Sequence, residues 1–197
     1  MKVREFTNKN AVQLLATKSR RTDIGSTELC KTHFEMGKFL AYQMLDDFKL
    51  NEIEINHVQG IKKGVELSDR ENIVIFGLMR AGLYVAEGLR SIFSDSQFFL
   101  GDDFQAEKIN LNDKIVVIAD AVINTGKSIE KIIKQILQTN ARKVFIVTLI
   151  MQKDALYLSD KYPNIFFYAL RISENKYIGK GGTDTGNRLF NTADIGL

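Results

Sequence analysis

Asp120 and the turn Thr125-Gly126-Lys127-Ser128 are the residues whose types and spacing suggest chemistry. Ahead of them runs Ile115-Val116-Val117-Ile118, the apolar pattern of a strand buried on both faces, ending at Ala119-Asp120 and a short turn. Behind them Ile129, Ile132, Ile133, Ile136 and Leu137 recur at helical spacing with charges between. The stretch reads strand, tight loop, helix. Thr125, Gly126 and Ser128 open the helix, where the first backbone N–H groups lack intrahelical partners and attract phosphate. A carboxylate beside that turn can accept hydrogen bonds from sugar hydroxyls, so a phosphorylated sugar is the natural ligand. Three readings fit this stretch: an ordinary strand-to-helix connection, a phosphate-binding P-loop, and a loop for a phosphorylated ribose. The P-loop spacing fits Ala121 through Ser128, but Ala121 stands where the first glycine belongs.

The elements around the turn must position it. Asn72 to Gly77 is a second buried strand and Ala81 to Ile92 a helix, with Leu78-Met79-Arg80-Ala81-Gly82 between. An arginine at a helix start opposes the helix dipole, which favours a functional role for Arg80 over a plain surface one. Lys143 to Met151 and Ile165 to Leu170 read as strands, with a short helix from Lys153 to Asp160. Ser26 opens a helix running to about Met44, Asn51 to His57 alternates as a half-exposed strand, and a polar stretch follows to Glu71. Gln97 to Leu100 is a brief strand, and residues 1 to 25 are mixed, with a loop at 19–25. Strands alternating with helices predict an α/β fold, a parallel sheet with right-handed crossovers. Ligands of such sheets bind beyond the carboxyl ends of the strands, where the loops at Arg80 and Asp120 both fall. The tail from Ser173 breaks the rhythm: it is glycine-rich, flanked by Tyr177, Ile178, Leu189 and Phe190, and reads as a loop approaching a ligand through its backbone.

Composition bounds the answer. The 197 residues suit one domain with a sizeable core, and we find no repeat or linker. A formal charge of +3 with dispersed basic residues is too slight to argue for nucleic acid. The single cysteine, Cys30, cannot form an internal disulfide, and a reducing cytoplasm is expected. The N-terminal stretch MKVREFTNKN lacks the apolar core of a signal peptide and no apolar run is long enough to span a membrane, so neither is expected. With His33 and His57 the only histidines and Cys30 the only cysteine, a zinc site is not expected.

Three stretches resemble one family, in order. Residues 78–83, LMRAGL, resemble the ILRAGL segment of uracil phosphoribosyltransferases; residues 119–128, ADAVINTGKS, resemble their DPMLATGGS; residues 177–192, YIGKGGTDTGNRLFNT, resemble their YIVPGLGDAGDRIFGT. Weaker similarity reaches Arg21 and Ser26-Thr27. The resemblance implies a type I phosphoribosyltransferase fold, a parallel sheet flanked by helices, with a small hood from about 1–25 and 173–197. It implies transfer of the phosphoribosyl group of 5-phosphoribosyl 1-pyrophosphate (PRPP) to uracil, giving uridine monophosphate (UMP) and pyrophosphate in pyrimidine salvage. By position, Arg80, Ala81 and Gly82 would meet the pyrophosphate, Asp120 the ribose hydroxyls, and Asn124, Thr125, Gly126, Lys127 and Ser128 the 5′-phosphate. Asp184 would sit near ribose or pyrophosphate with Mg²⁺, which the substrate brings, and Ile178, Thr183 and Thr185 would read uracil through backbone groups. Arg80, Asp120 and Asp184 are the implied catalytic residues, and a homodimer is the implied assembly.

The chain also departs from the family pattern. Lys180 replaces a proline, Asn187 replaces an aspartate, and Gly182-Thr183 replaces Leu-Gly, placing a β-branched residue where positive φ is expected. The interval from Arg80 to Asp120 is short. The resemblance implies that the missing part holds a second pyrophosphate-binding arginine and a hairpin serving the site and the dimer. No arginine lies between Ser91 and Asp120; Lys108 and Lys114 are the nearest cations. Three activities therefore stay open: uracil transfer, transfer to another base, and a non-catalytic nucleotide- or phosphoribosyl-binding regulatory protein.

Overall fold

The computed structural model describes residues 3–193, so residues 1–2 and 194–197 of the two hood segments lie outside the description. Six parallel strands form one sheet: β1 (Arg4–Glu5), β4 (Ile73–Leu78), β5 (Gln97–Gly101), β6 (Ile115–Ile123), β7 (Lys143–Gln152) and β8 (Phe166–Ser173). Their spatial order is β1-β8-β7-β6-β4-β5, which seats β6 between β7 and β4. Every residue of β4 is buried, as continuous apolar runs require when both faces of a parallel sheet are covered.

Helices cover both faces. α1 (Asn10–Arg20), α2 (Ser26–Met44) and α3 (Leu83–Arg90) pack on one, where Val12, Met36, Leu40, Val85 and Leu89 meet Ile75, Val117 and Val147. On the other lie α4 (Lys127–Ile136) and the short α5 (Tyr157–Lys161), where Ile129, Ile132, Ile133, Ile136 and Leu158 meet Val116, Ile118 and Ile146. The last helix, α6 (Thr185–Phe190), sits in the tail and contacts α2. Among the described residues, no helix is long and apolar enough to cross a membrane.

Several expectations need correction. The N-terminal stretch is ordered: β1 pairs with β8, and α1 turns Val12 and Ala16 inward at helical spacing. The stretch read as polar to Glu71 holds a strand, β3 (Gly60–Leu67), paired antiparallel with β2 (Leu50–His57) in register His57↔Gly60. Both strands are largely exposed; alternation marked β2, whereas β3 carries no buried apolar face for a period-2 pattern to reveal. A hairpin therefore stands ahead of Arg80, outside the short interval from Arg80 to Asp120. β6 runs on to Ile123, so Asp120 and Ala121 lie inside a strand rather than in a turn.

Candidate active site

The carboxyl ends of β4 and β6 carry the two loops, and the tail folds over them. After Ile123 the chain turns through residues 124–126 into α4. Gly126 makes that turn with φ at +75°, and a Cβ there would stand 2.7 Å from Leu158 Cδ1, so only glycine fits. The backbone N–H groups of residues 125 to 129 make no hydrogen bond among the described residues. They border a pocket of about 170 Å³ lined by Asp120, Asn124, Thr125, Gly126, Lys127 and Ser128, together with the neighbouring apolar groups Val122, Ile123 and Ile129. Free donors at a helix start suit an anion such as phosphate.

A larger cleft of about 600 Å³ adjoins it, sharing Asp120, Val122 and Asn124. Its far wall is the β4–α3 loop with Arg80 and Ala81, and its lid is the tail, with Tyr177, Ile178, Asp184 and Thr185. The Arg80 guanidinium is held by neutral partners, donating to Asn187 Oδ1 at 2.7 Å and Thr192 Oγ1 at 3.2 Å. Its charge is thus positioned but not neutralised. The N–H groups of Arg80 and Ala81 also make no hydrogen bond among the described residues. Gly82 does not line the cleft; a Cβ there would meet Leu78 O at 2.5 Å and Ala119 O at 2.6 Å, so it lets α3 start against β6.

Asp120 accepts a hydrogen bond from the Ala121 N–H at 2.7 Å. Burial pushes its carboxyl up to about 6, against the opposing pull of the Ala121 and Val122 N–H groups. Asn124 does something the sequence did not suggest. Its Nδ2 donates to Tyr177 O at 2.9 Å and its Oδ1 accepts from Tyr177 N at 3.1 Å, so the side chain ties the tail to the phosphate loop. Tyr177 itself lines the cleft and was missed as a site residue, although it stands next to Ile178 in the tail motif.

The tail corrects two expectations. Thr183 is not brought into the cleft: its carbonyl accepts from the Tyr177 hydroxyl and its Oγ1 accepts from Lys180 N at 3.0 Å. Nor is it strained, since the left-handed residue there is Gly181 and the positive-φ non-glycine residues among those described are Asp113 and Asn191. Asp184 caps α6, with Oδ1 accepting from Asn187 N at 2.9 Å, while also lining the cleft. Asn187, where the family pattern has an aspartate, accepts from Arg80, and the Arg188 guanidinium donates to Ser19 O and Arg21 O. Neither lysine substitutes for a second arginine. Lys114 precedes β6 and donates to Asn72 Oδ1 at the opposite end of the sheet, and Lys108 does not line the cleft.

A family model described as uracil phosphoribosyltransferase matches residues 6–192. The chain belongs to the uracil phosphoribosyltransferase family. It is thus an enzyme of the phosphoribosyl-transfer class, acting on small molecules. The uracil phosphoribosyltransferase of Aquifex aeolicus (strain VF5) is 30% identical over 188 residues, covering 87% of this chain and 90% of that protein. That of Sulfurisphaera tokodaii is 29% identical over 204 residues, covering 90% and 93%. Among solved structures, the AQ2163 protein from Aquifex aeolicus superposes with a TM-score of 0.77 at 27% identity, covering 92% of this chain and 94% of that one. A hypoxanthine-guanine phosphoribosyltransferase from Bacillus anthracis, 17% identical with a TM-score of 0.52 over 79% of this chain and 85% of that one, shares the fold. The sheet flanked by helices is the type I phosphoribosyltransferase architecture.

Proposed function

We propose that this family member transfers the phosphoribosyl group of PRPP to N1 of uracil, giving UMP and pyrophosphate. The observation carrying this reading is the two-part cleft, with unbonded N–H groups at the start of α4 in one part, a guanidinium without a carboxylate partner in the other, and Asp120 shared by both. The 5′-phosphate sits on the N–H groups at the start of α4, and ionised Asp120 accepts hydrogen bonds from the ribose hydroxyls. Arg80 and the neighbouring N–H groups receive the pyrophosphate. Uracil lies between Val122 and Tyr177, read by backbone groups at Ile178; the Tyr177 backbone is already spent on Asn124.

In the reaction the N1–C1′ bond forms, the C1′–oxygen bond to pyrophosphate breaks, and the N1 proton is released. Positive charge builds at C1′ and negative charge on the leaving group, so a fixed guanidinium at the leaving group is the main lever. Among the described residues, no cluster of three or more acidic, histidine or cysteine side chains offers a metal cage. Mg²⁺ keeps its waters and takes one or two carboxylates plus substrate phosphates. Asp184, with Oδ2 uncommitted, is the side chain that would hold it, and the ion supplies charge neutralisation for the pyrophosphate.

A second reading, binding without turnover, is favoured by one observation: Arg80 is the one cation lining the larger part of the cleft among the described residues. Incubation with PRPP, Mg²⁺ and uracil, followed by product analysis, separates the two. UMP with equimolar pyrophosphate supports transfer, and intact PRPP after many hours would reject it.

A further inference from the structure

Beside the cleft lies a second, more enclosed cavity of about 70 Å³, between α1, α2, the ends of β6–β8 and the tail. It borders the base side of the cleft, sharing Val122, Tyr177 and Thr185 with it. Three arginines line it from three separate segments: Arg20 at the end of α1, Arg171 on β8, and Arg188 on α6. His33 on α2 lines it too, and no aspartate or glutamate does.

The hydrogen bonding leaves this group short of acceptors. Arg20 Nε donates to its own helix at Ala16 O, 3.0 Å away, and Arg188 donates to Ser19 O at 3.1 Å and Arg21 O at 2.7 Å. Arg171 makes no side-chain hydrogen bond and no ion pair among the described residues. His33 is only 5% exposed, and its buried Nδ1 has no partner. Mutual repulsion adds to the desolvation: Arg20 disfavours the charge on Arg171, and burial with Arg188 nearby pushes His33 down to about 4. Arg171 and Arg188 are half-buried and Arg20 reaches solvent, so the cost of gathering them around a cavity without a carboxylate falls on the first two and is relieved when an anion joins them. Neutral His33 can donate a hydrogen bond to that anion. The space suits a small one, since a water occupies about 30 Å³ and a carboxylate is little larger.

We propose that this cavity is an anion site for a carboxylate-sized group, bound by Arg171, Arg20, Arg188 and His33. The anion is either free in solution or an acidic substituent on the base held in the neighbouring cleft. A free anion there ties both hood segments to β8, because Arg20 and Arg188 come from α1 and the tail. The second source rests on the phosphoribosyl-transfer reading and widens its substrate class to pyrimidines bearing a carboxylate.

With only two histidines in the chain, ring signals of histidine-labelled protein give a direct readout, and His57 on the exposed hairpin serves as internal control. The protein is titrated with sodium formate, with inorganic phosphate, and, in the presence of PRPP and Mg²⁺, with uracil or 6-carboxyuracil. A saturable shift of the His33 signal, with His57 unmoved, is expected. A shift with formate or phosphate identifies a free anion; a shift with 6-carboxyuracil but not uracil identifies the substituent. Binding is expected to weaken at least tenfold in Arg171→Met and in the surface variant Arg20→Ala, which keeps the test open if the first fails to fold. A His33 signal unmoved by every probe, or moving equally in the folded variants, would overturn the proposal. The signal does not depend on turnover, so absence of UMP formation leaves this result standing.

Discussion

Asp120 carries a consequence that its neighbours do not. Its carboxyl is pushed up to about 6 by burial, and only the ionised form accepts bonds from both ribose hydroxyls. We expect kcat/KM for PRPP to rise with pH through about 6 and level off above; a profile flat from pH 5 to 8 would contradict this. The sign for stability is the reverse. The native state holds this proton more tightly than the unfolded chain, with its ordinary value of 3.8, so this group's contribution falls as pH rises from about 4 to about 6. Asn124 gives a second test at this scale. Because its side chain grips Tyr177 and not the phosphate, Asn124→Ala is expected to raise KM for the base about tenfold while changing PRPP affinity less than threefold. Equal losses of both, measured by steady-state kinetics and titration, would place Asn124 in the phosphate cradle instead. Asp120, Arg80 and the turn were legible because few other residue types do their chemistry. The roles of Asn124, Asn187 and Tyr177 were not, because they depend on the tail folding back across more than fifty residues of chain, a contact no local spacing encodes.

At the scale of elements, the strand-loop-helix around residues 115–136 is the part that sequence described best. Its two periods, continuous apolar residues and then every third or fourth, are enforced by burial on both faces of β6 and one face of α4. Only the strand end was set too early, because Asp120 looks like a loop residue while its backbone stays paired with Thr148 of β7. Gly126→Ala tests this element. A left-handed alanine costs about 1–2 kcal/mol, and the added Cβ strikes Leu158. We expect a lower melting temperature together with at least a tenfold loss of PRPP affinity; unchanged affinity would mean that the cradle does not depend on this turn. β3 and α1 were the elements least visible, the first for want of a buried face and the second because Leu14 on its exposed side is as apolar as Val12 and Ala16 on its buried one.

For the molecule as a whole, the parallel sheet and the clustering of both loops at its carboxyl edge were readable from alternation of element types alone. The hairpin's purpose belongs to this scale. It stands outside the main sheet, and Val58, Ile61 and Val65 on it are 95%, 67% and 62% exposed. Two strands alone are marginally stable in water, and apolar groups so placed suit a second copy of the chain. We expect sedimentation to give twice the 22.3 kDa of the single chain, and Ile61→Asp with Val65→Asp to shift it toward the monomer. A wild-type protein monomeric at assay concentrations would remove the hairpin's proposed role. The assignment of the cleft to PRPP is tested most directly by calorimetric titration of PRPP with Mg²⁺ into wild-type protein and into Asp120→Asn. Saturable binding by the wild type, weakened at least thirtyfold in a variant of unchanged melting temperature, is the expected result; full affinity in Asp120→Asn would contradict it.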